Sequence, residues 1–156
     1  MVINMKMSTK GRYGLRAMLD LAINSKDGNI PISSISERQS ISENYLEQII
    51  AKLKKAGLVT STRGAQGGYA LSKPSDDITV GDILRALEGD LTPVDCSILK
   101  EELQCDCEDN CVSKYVWKKI SDSINNVVND ITLKDLIDEN IKINGHNINN
   151  IISPKC

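Results

Sequence analysis

Between Ser33 and Tyr69 the chain spells three elements in an order that leaves few folds open. Ser33 or Ser34 can cap a short helix, and Ser34 with Glu37 fits a capping box. Ser40 and Ile41 read as a tight turn. Ser42 is placed to cap a longer helix that runs to about Ala56 and stops at Gly57. In that helix Leu46, Ile49, Ile50 and Leu53 form the apolar stripe. Asn44, Gln48, Lys52 and Lys55 point the other way, with Tyr45 and Glu47 on the flanks. A strand at Leu58 to Thr62 and its return at Tyr69 to Leu71 enclose Arg63-Gly64-Ala65-Gln66-Gly67-Gly68, a run suited to a tight hairpin. Two helices across a tight turn, followed by a hairpin, describe a helix-turn-helix with a wing. The expected fold is mainly α with a small β-hairpin wing. The plainer alternative for the hairpin is an ordinary exposed loop.

Charge supports a polyanion partner. The net charge is −2, but residues 1–75 carry 11 basic and 5 acidic side chains, while residues 76–156 carry 8 and 16. On double-stranded DNA, the amides at Ser42 offer a phosphate site, and Lys10 or Arg12, Lys52 and Lys55 add phosphate contacts that carry no sequence information. Base reading falls to Asn44, Tyr45, Glu47 and Gln48. Glu47 faces phosphates unfavourably unless it meets a cytosine amino group, so it is read as a rejecting device; pairing to Lys54 or Lys55 is the ordinary alternative. Arg63 can enter a minor groove, and Gly67 permits close backbone approach.

Elsewhere, Leu15, Met18, Leu19 and Ala22 predict a first helix over Thr9 to Asn24. Val80, Ile83, Leu84 and Leu87 predict a short one ending at Gly89. Val112, Val116, Ile120, Ile124, Val127, Val128 and Ile131 mark a long helix with more apolar surface than the remaining chain can cover. It is read as a dimerisation helix, against the alternative of packing on its own domain. A two-fold dimer predicts a palindromic operator. A last short helix is expected at Thr132 to Glu139, followed by a loose tail. The resulting division is 5–75 for DNA binding, 76–111 for a connecting helix and cysteine-rich loop, 112–139 for dimerisation and 140–156 for the tail. Phe is absent and Trp117 is the only Trp, so aliphatic side chains must build the core.

Cys96, Cys105, Cys107 and Cys111 fall in one short window just before the long helix. No apolar run is long enough to span a bilayer, and Gly11, Arg12 and Arg16 interrupt any signal-peptide pattern, so a cytoplasmic location is expected. In a reducing compartment, thiols this close favour metal or redox chemistry over structural disulfides. An iron–sulfur cluster and zinc both remain open on spacing, with redox-active thiols next. Cys156 is read as incidental. An enzyme would need an acid or base beside the cysteines, and the only His, His146, lies in the tail; no catalytic residue is assigned.

The stretch from Met7 to Asp20, then Ile35-Ser36-Glu37-Arg38-Gln39, Tyr45-Leu46-Glu47-Gln48 and Arg63-Gly64-x-x-Gly67-Gly68-Tyr69, resembles the Rrf-type winged-helix transcription regulators, particularly their iron–sulfur cluster sensors. The likeness covers roughly residues 5–140 and makes Met5 the expected start. It implies a homodimer with crossing long helices and a 2Fe–2S cluster nearby. Cys96, Cys105 and Cys111 match the family's ligands, and Cys107 is the local substitute for a fourth. Lys114 stands where cluster-binding relatives place a His, and Arg12 where others place a carboxylate. The resemblance further implies control of iron–sulfur assembly genes, with cluster-assembly proteins as possible partners. It also admits a cluster-free regulator of cysteine metabolism that answers to a cysteine-synthesis partner.

Overall fold

The computed structural model describes residues 7–25, 28–96 and 110–145. Six α-helices and one β-hairpin make up the regular structure of these residues. They are α1 (Thr9–Asn24), α2 (Ile32–Gln39), α3 (Glu43–Lys55), β1 (Val59–Thr62), β2 (Gly68–Leu71), α4 (Val80–Glu88), α5 (Ser113–Asp130) and α6 (Leu133–Asn144), with a 3₁₀ turn at Ser75–Asp77. None of the described helices is long and apolar enough to cross a membrane.

Helix α1 is the hub. Gly14, Ala17, Met18 and Leu21 recur at helical spacing and are buried, and the helix packs against α2, α3, α4, α6 and β2. Around it Ile35, Leu46, Ile49, Leu53, Ile78, Ile83 and Leu133 close an almost wholly aliphatic core.

The helix-turn-helix forms as expected, but its caps differ from those the sequence pattern suggests. Pro31 is the N-cap of α2, with no side-chain cap, so Ser34 and Glu37 form no capping box there. Proline's fixed backbone suits a helix start that has no hydrogen bond to donate. Ser40 adopts a left-handed conformation, φ 52°. The turn is clamped by the Ser36 hydroxyl donating to Ile41 O at 2.6 Å and by Ile41 N–H donating back to Ser36 O at 3.2 Å. Ser42 is the N-cap of α3 but its side chain makes no capping bond. At the other end, Leu58 N–H donates to Leu53 O and Gly57 N–H to Lys54 O, both at 3.0 Å, the double closure that Gly57 in a left-handed conformation allows.

Strands β1 and β2 pair antiparallel with Val59 opposite Leu71 and Thr62 opposite Gly68. Ile30 adds a bridge to Tyr69 on the outer side of β2.

Helices α4 and α6 start side by side. Thr79 with Asp82, and Thr132 with Asp135, each form a full capping box. The N-termini of the two helices pair through Val80 N–H to Ile131 O at 2.9 Å and Leu133 N–H to Ile78 O at 2.8 Å. The matching segments Ile78-Thr79-Val80-Gly81-Asp82 and Ile131-Thr132-Leu133-Lys134-Asp135 carry the same capping signal in the sequence. Helix α6 reaches Asn144, beyond the expected end at Glu139, and buries Leu133 and Ile137 against α1. The chain therefore returns to the core around α1 after α5.

Candidate nucleic-acid interface

Helix α3 buries Leu46, Ile49, Ile50 and Leu53, and this fixes what the opposite face presents. Ser42, Asn44, Glu47, Gln48, Lys52 and Lys55 are all exposed. Lys54 reaches across to the Ser61 hydroxyl on β1 rather than to Glu47. Tyr45 is half-buried, its ring edge-on to Tyr13 of α1 with centroids 6.0 Å apart, so part of this side chain serves packing. The Arg16 guanidinium lies over the other ring, 5.4 Å from the Tyr13 centroid.

The hairpin tip puts Arg63 in the open. Gly67 N–H donates to Gly64 O at 2.9 Å, and a Cβ on Gly67 would lie 2.5 Å from Thr62 O. The tightness of the wing itself is thus enough to require this glycine. Gly68, at φ 149°, leaves no room for a Cβ against the Ile30 backbone.

Lys10 and Arg12 lie in the first turn of α1, half-buried and exposed respectively. Lys52 is held below the ordinary lysine value, first by the neighbouring Lys10, with the charge of Glu88 acting in the opposite sense.

A network with no signature in the sequence pattern holds this surface. Asp20, fully buried, accepts from Arg38 Nη2 at 2.6 Å and Nε at 2.9 Å, and from Gln39 Nε2 at 2.9 Å. Arg16 donates to Gln39 Oε1 at 3.1 Å and to Gln39 O at 2.7 Å. The end of α2 is thereby fixed to α1 just before the turn into α3. The Arg38 guanidinium is held above its ordinary value, mainly by the hydrogen bond to Asp20.

Of the cysteines, Cys96 and Cys111 are described, half-buried and free, while Cys105 and Cys107 lie outside the described residues, as does His146. Cys111 Sγ is 3.1 Å from Ser113 Oγ at the start of α5. That hydrogen bond, followed by the backbone amide of Lys114, holds the thiol below its usual value. Among the described residues no three His, Cys, Asp or Glu side chains are gathered for a metal.

Helix α5 buries only Ser121. It is tied to α4 by Arg85, which donates to Asn129 Oδ1 at 2.9 Å and Asn125 Oδ1 at 2.6 Å. Val112, Tyr115, Val116 and Val127 are exposed, so packing on its own domain covers only part of its apolar stripe.

Residues 7–139 match the Rrf2 family, described as iron-dependent transcriptional regulators. The chain is 40% identical over 140 residues to the HTH-type transcriptional regulator IscR of Pectobacterium atrosepticum, covering 90% of this chain and 84% of that one. Among solved structures it is similar to T. potens IscR, with a TM-score of 0.73 and 47% identity over 88% of this chain and 90% of that one. It is similar as well to CymR, the global cysteine regulator of B. subtilis, with a TM-score of 0.71 and 42% identity over 86% and 97%.

Proposed function

The chain belongs to the Rrf2 family of transcriptional regulators, and on that premise we propose that it binds a palindromic operator in double-stranded DNA as a homodimer. The observation that carries this is the outward face of α3. Asn44, Gln48, Lys52 and Lys55 are exposed, as is Arg63 of the wing. The uncovered apolar residues of α5 support the dimer. Gln48→Ala should weaken binding to the operator more than to random DNA, while Lys52→Ala should weaken both alike. Equal loss on both duplexes for Gln48→Ala would refute the base-reading role.

Two readings of the signal follow. The first is a cluster-free regulator of cysteine or sulfur metabolism that answers to a partner protein, such as a cysteine-synthesis enzyme. It is supported by the likeness to CymR and by the cations Lys114 and Arg12, which cannot serve as ligands where related sites place a His or a carboxylate. The second is a 2Fe–2S sensor controlling iron–sulfur assembly genes, supported by the likeness to IscR and by the four thiols in one window. The donor chemistry fits that group only as a four-thiolate set, with Cys96, Cys105, Cys107 and Cys111 holding it. Cys111, its thiolate favoured by Ser113 and the amide of Lys114, suits such a role. A bound cluster would supply a redox-sensitive, oxygen-sensitive state. Within the chain itself, Cys111 adjoins α5 and Cys96 follows α4, so constraint between these cysteines bears on the α4–α5 pair. Zinc on the same thiolates is the colourless variant of this reading.

Purification without oxygen, with a visible spectrum and iron, zinc and sulfide assays, separates the readings. Matched iron and sulfide that are lost in Cys107→Ala establish the four-thiolate cluster. A protein free of both, even after reconstitution, that gains operator affinity on adding the cysteine-synthesis enzyme establishes the first reading.

A further inference from the structure

Glu88, the last residue of α4, does something its own helix does not favour. A carboxylate at a helix C-terminus faces the negative end of the helix dipole. Here it leaves that end and caps a different helix. Its Oε1 accepts from Gly11 N–H at 2.9 Å and from the Ser8 hydroxyl, at the N-terminus of α1. Helix α1 has no acidic residue in its first turn, so this carboxylate, brought in from 77 residues away, meets the positive end of the dipole. Gly11 makes the approach possible, because a Cβ there would lie 2.4 Å from Glu88 Oε1.

Lys10 sits inside the turn that Glu88 holds. We propose that Glu88 is a positioning residue of the DNA interface: by fixing the first turn of α1 against α4, it sets the place from which Lys10 reaches the phosphate backbone. The packing of α1 on both α3 and α4 supplies the frame, and Glu88 sets the first turn of α1 within it. This inference rests on the DNA-binding reading and adds a residue that touches no DNA itself.

The test uses the full chain and a fluorescent duplex of random sequence, with binding followed by anisotropy over a range of KCl concentrations. Each phosphate contact contributes about 0.9 to the slope of log K against log salt. Lys10→Ala and Lys52→Ala should each flatten the slope by about one such step. Glu88→Ala should flatten it as Lys10→Ala does, and the Glu88→Ala/Lys10→Ala double variant should be no flatter than Lys10→Ala alone. Glu88→Gln keeps an acceptor oxygen for Gly11 and Ser8, so its slope should stay near wild type, and it covers the case in which Glu88→Ala does not fold. A merely structural glutamate would lower the melting temperature and leave the slope unchanged. A folded Glu88→Ala with the wild-type slope, effects of Glu88 and Lys10 that add in full, or a Glu88→Gln slope as flat as that of Lys10→Ala would each overturn the proposal. An unchanged slope for Lys10→Ala would do the same. A folded wild type with no salt-dependent binding would overturn the DNA-binding reading itself, and the proposal with it.

Discussion

Asp20→Ala should be among the most damaging single changes outside the apolar core. Asp20 has no exposed surface, whereas Arg38 keeps 29% of its side chain in solvent. Removing one partner of a buried pair costs about 3–5 kcal/mol, because the other charge is left without compensation. Arg38 can turn partly to water, so its share falls towards the lower limit. Gln39, however, is fully buried and would lose the acceptor for Nε2, which adds about 1–3 kcal/mol. Some of that returns if a water enters the space, so the net expectation is about 3–4 kcal/mol. At about 2–4 °C per kcal/mol for a chain of this size, the melting temperature should drop by about 10 °C. Asp20→Asn, which keeps the shape and one acceptor, should cost about half as much. Thermal and urea unfolding followed by circular dichroism give both values. Because Arg16 and Asp20 together hold Gln39 at the end of α2, surviving folded protein should bind DNA more weakly with little change in salt slope. A loss under about 1 kcal/mol for Asp20→Ala would show that the network does not secure the helix-turn-helix.

Val116→Asp, at an exposed position of α5, should leave the melting of a dilute sample nearly unchanged while shifting the mass in sedimentation to that of one chain; an intact dimer would move the interface off this face. Gly68→Ala should disorder the wing, since the new Cβ would meet the Ile30 backbone at 2.6 Å, and operator affinity should fall with the helices intact by circular dichroism. Wild-type affinity there would refute the close approach of Ile30 to β2. Asp135 is held below its ordinary value by the backbone amide and then the hydroxyl of Thr132. Its lowered folded value means that its contribution to α6 is complete at neutral pH. That contribution disappears as pH falls through the depressed value, below the ordinary aspartate range. Protection from hydrogen exchange at the start of α6, taken relative to the intrinsic rate at each pH, should therefore fall in acid, and Asp135→Asn should show the lower protection already at pH 7; equal protection at pH 7 would refute the cap.

The sequence alone determined the helix-turn-helix, the wing and the exposed face of α3. Each rests on neighbours a few residues apart: a 3.6-residue apolar stripe, a glycine at a left-handed stop, a glycine-rich turn. It also determined that α5 carries more apolar surface than its own domain covers. Even local rules misassigned some detail. Ser34 and Glu37 have the pattern of a capping box, yet Pro31 starts the helix one turn earlier, while the same kind of pattern at Thr79 and Thr132 forms true boxes. Four candidate thiols are legible as a set, but only Cys96 and Cys111 fall in the described structure. What tertiary structure decided was which distant residues share a site. Asp20 with Arg38, Glu88 with Gly11 and the return of α6 onto α1 have no periodic signature. The reason is physical: a hydrogen bond or charge contact between helices depends on how three or more packed elements cross, and the sequence encodes that crossing only through the whole core.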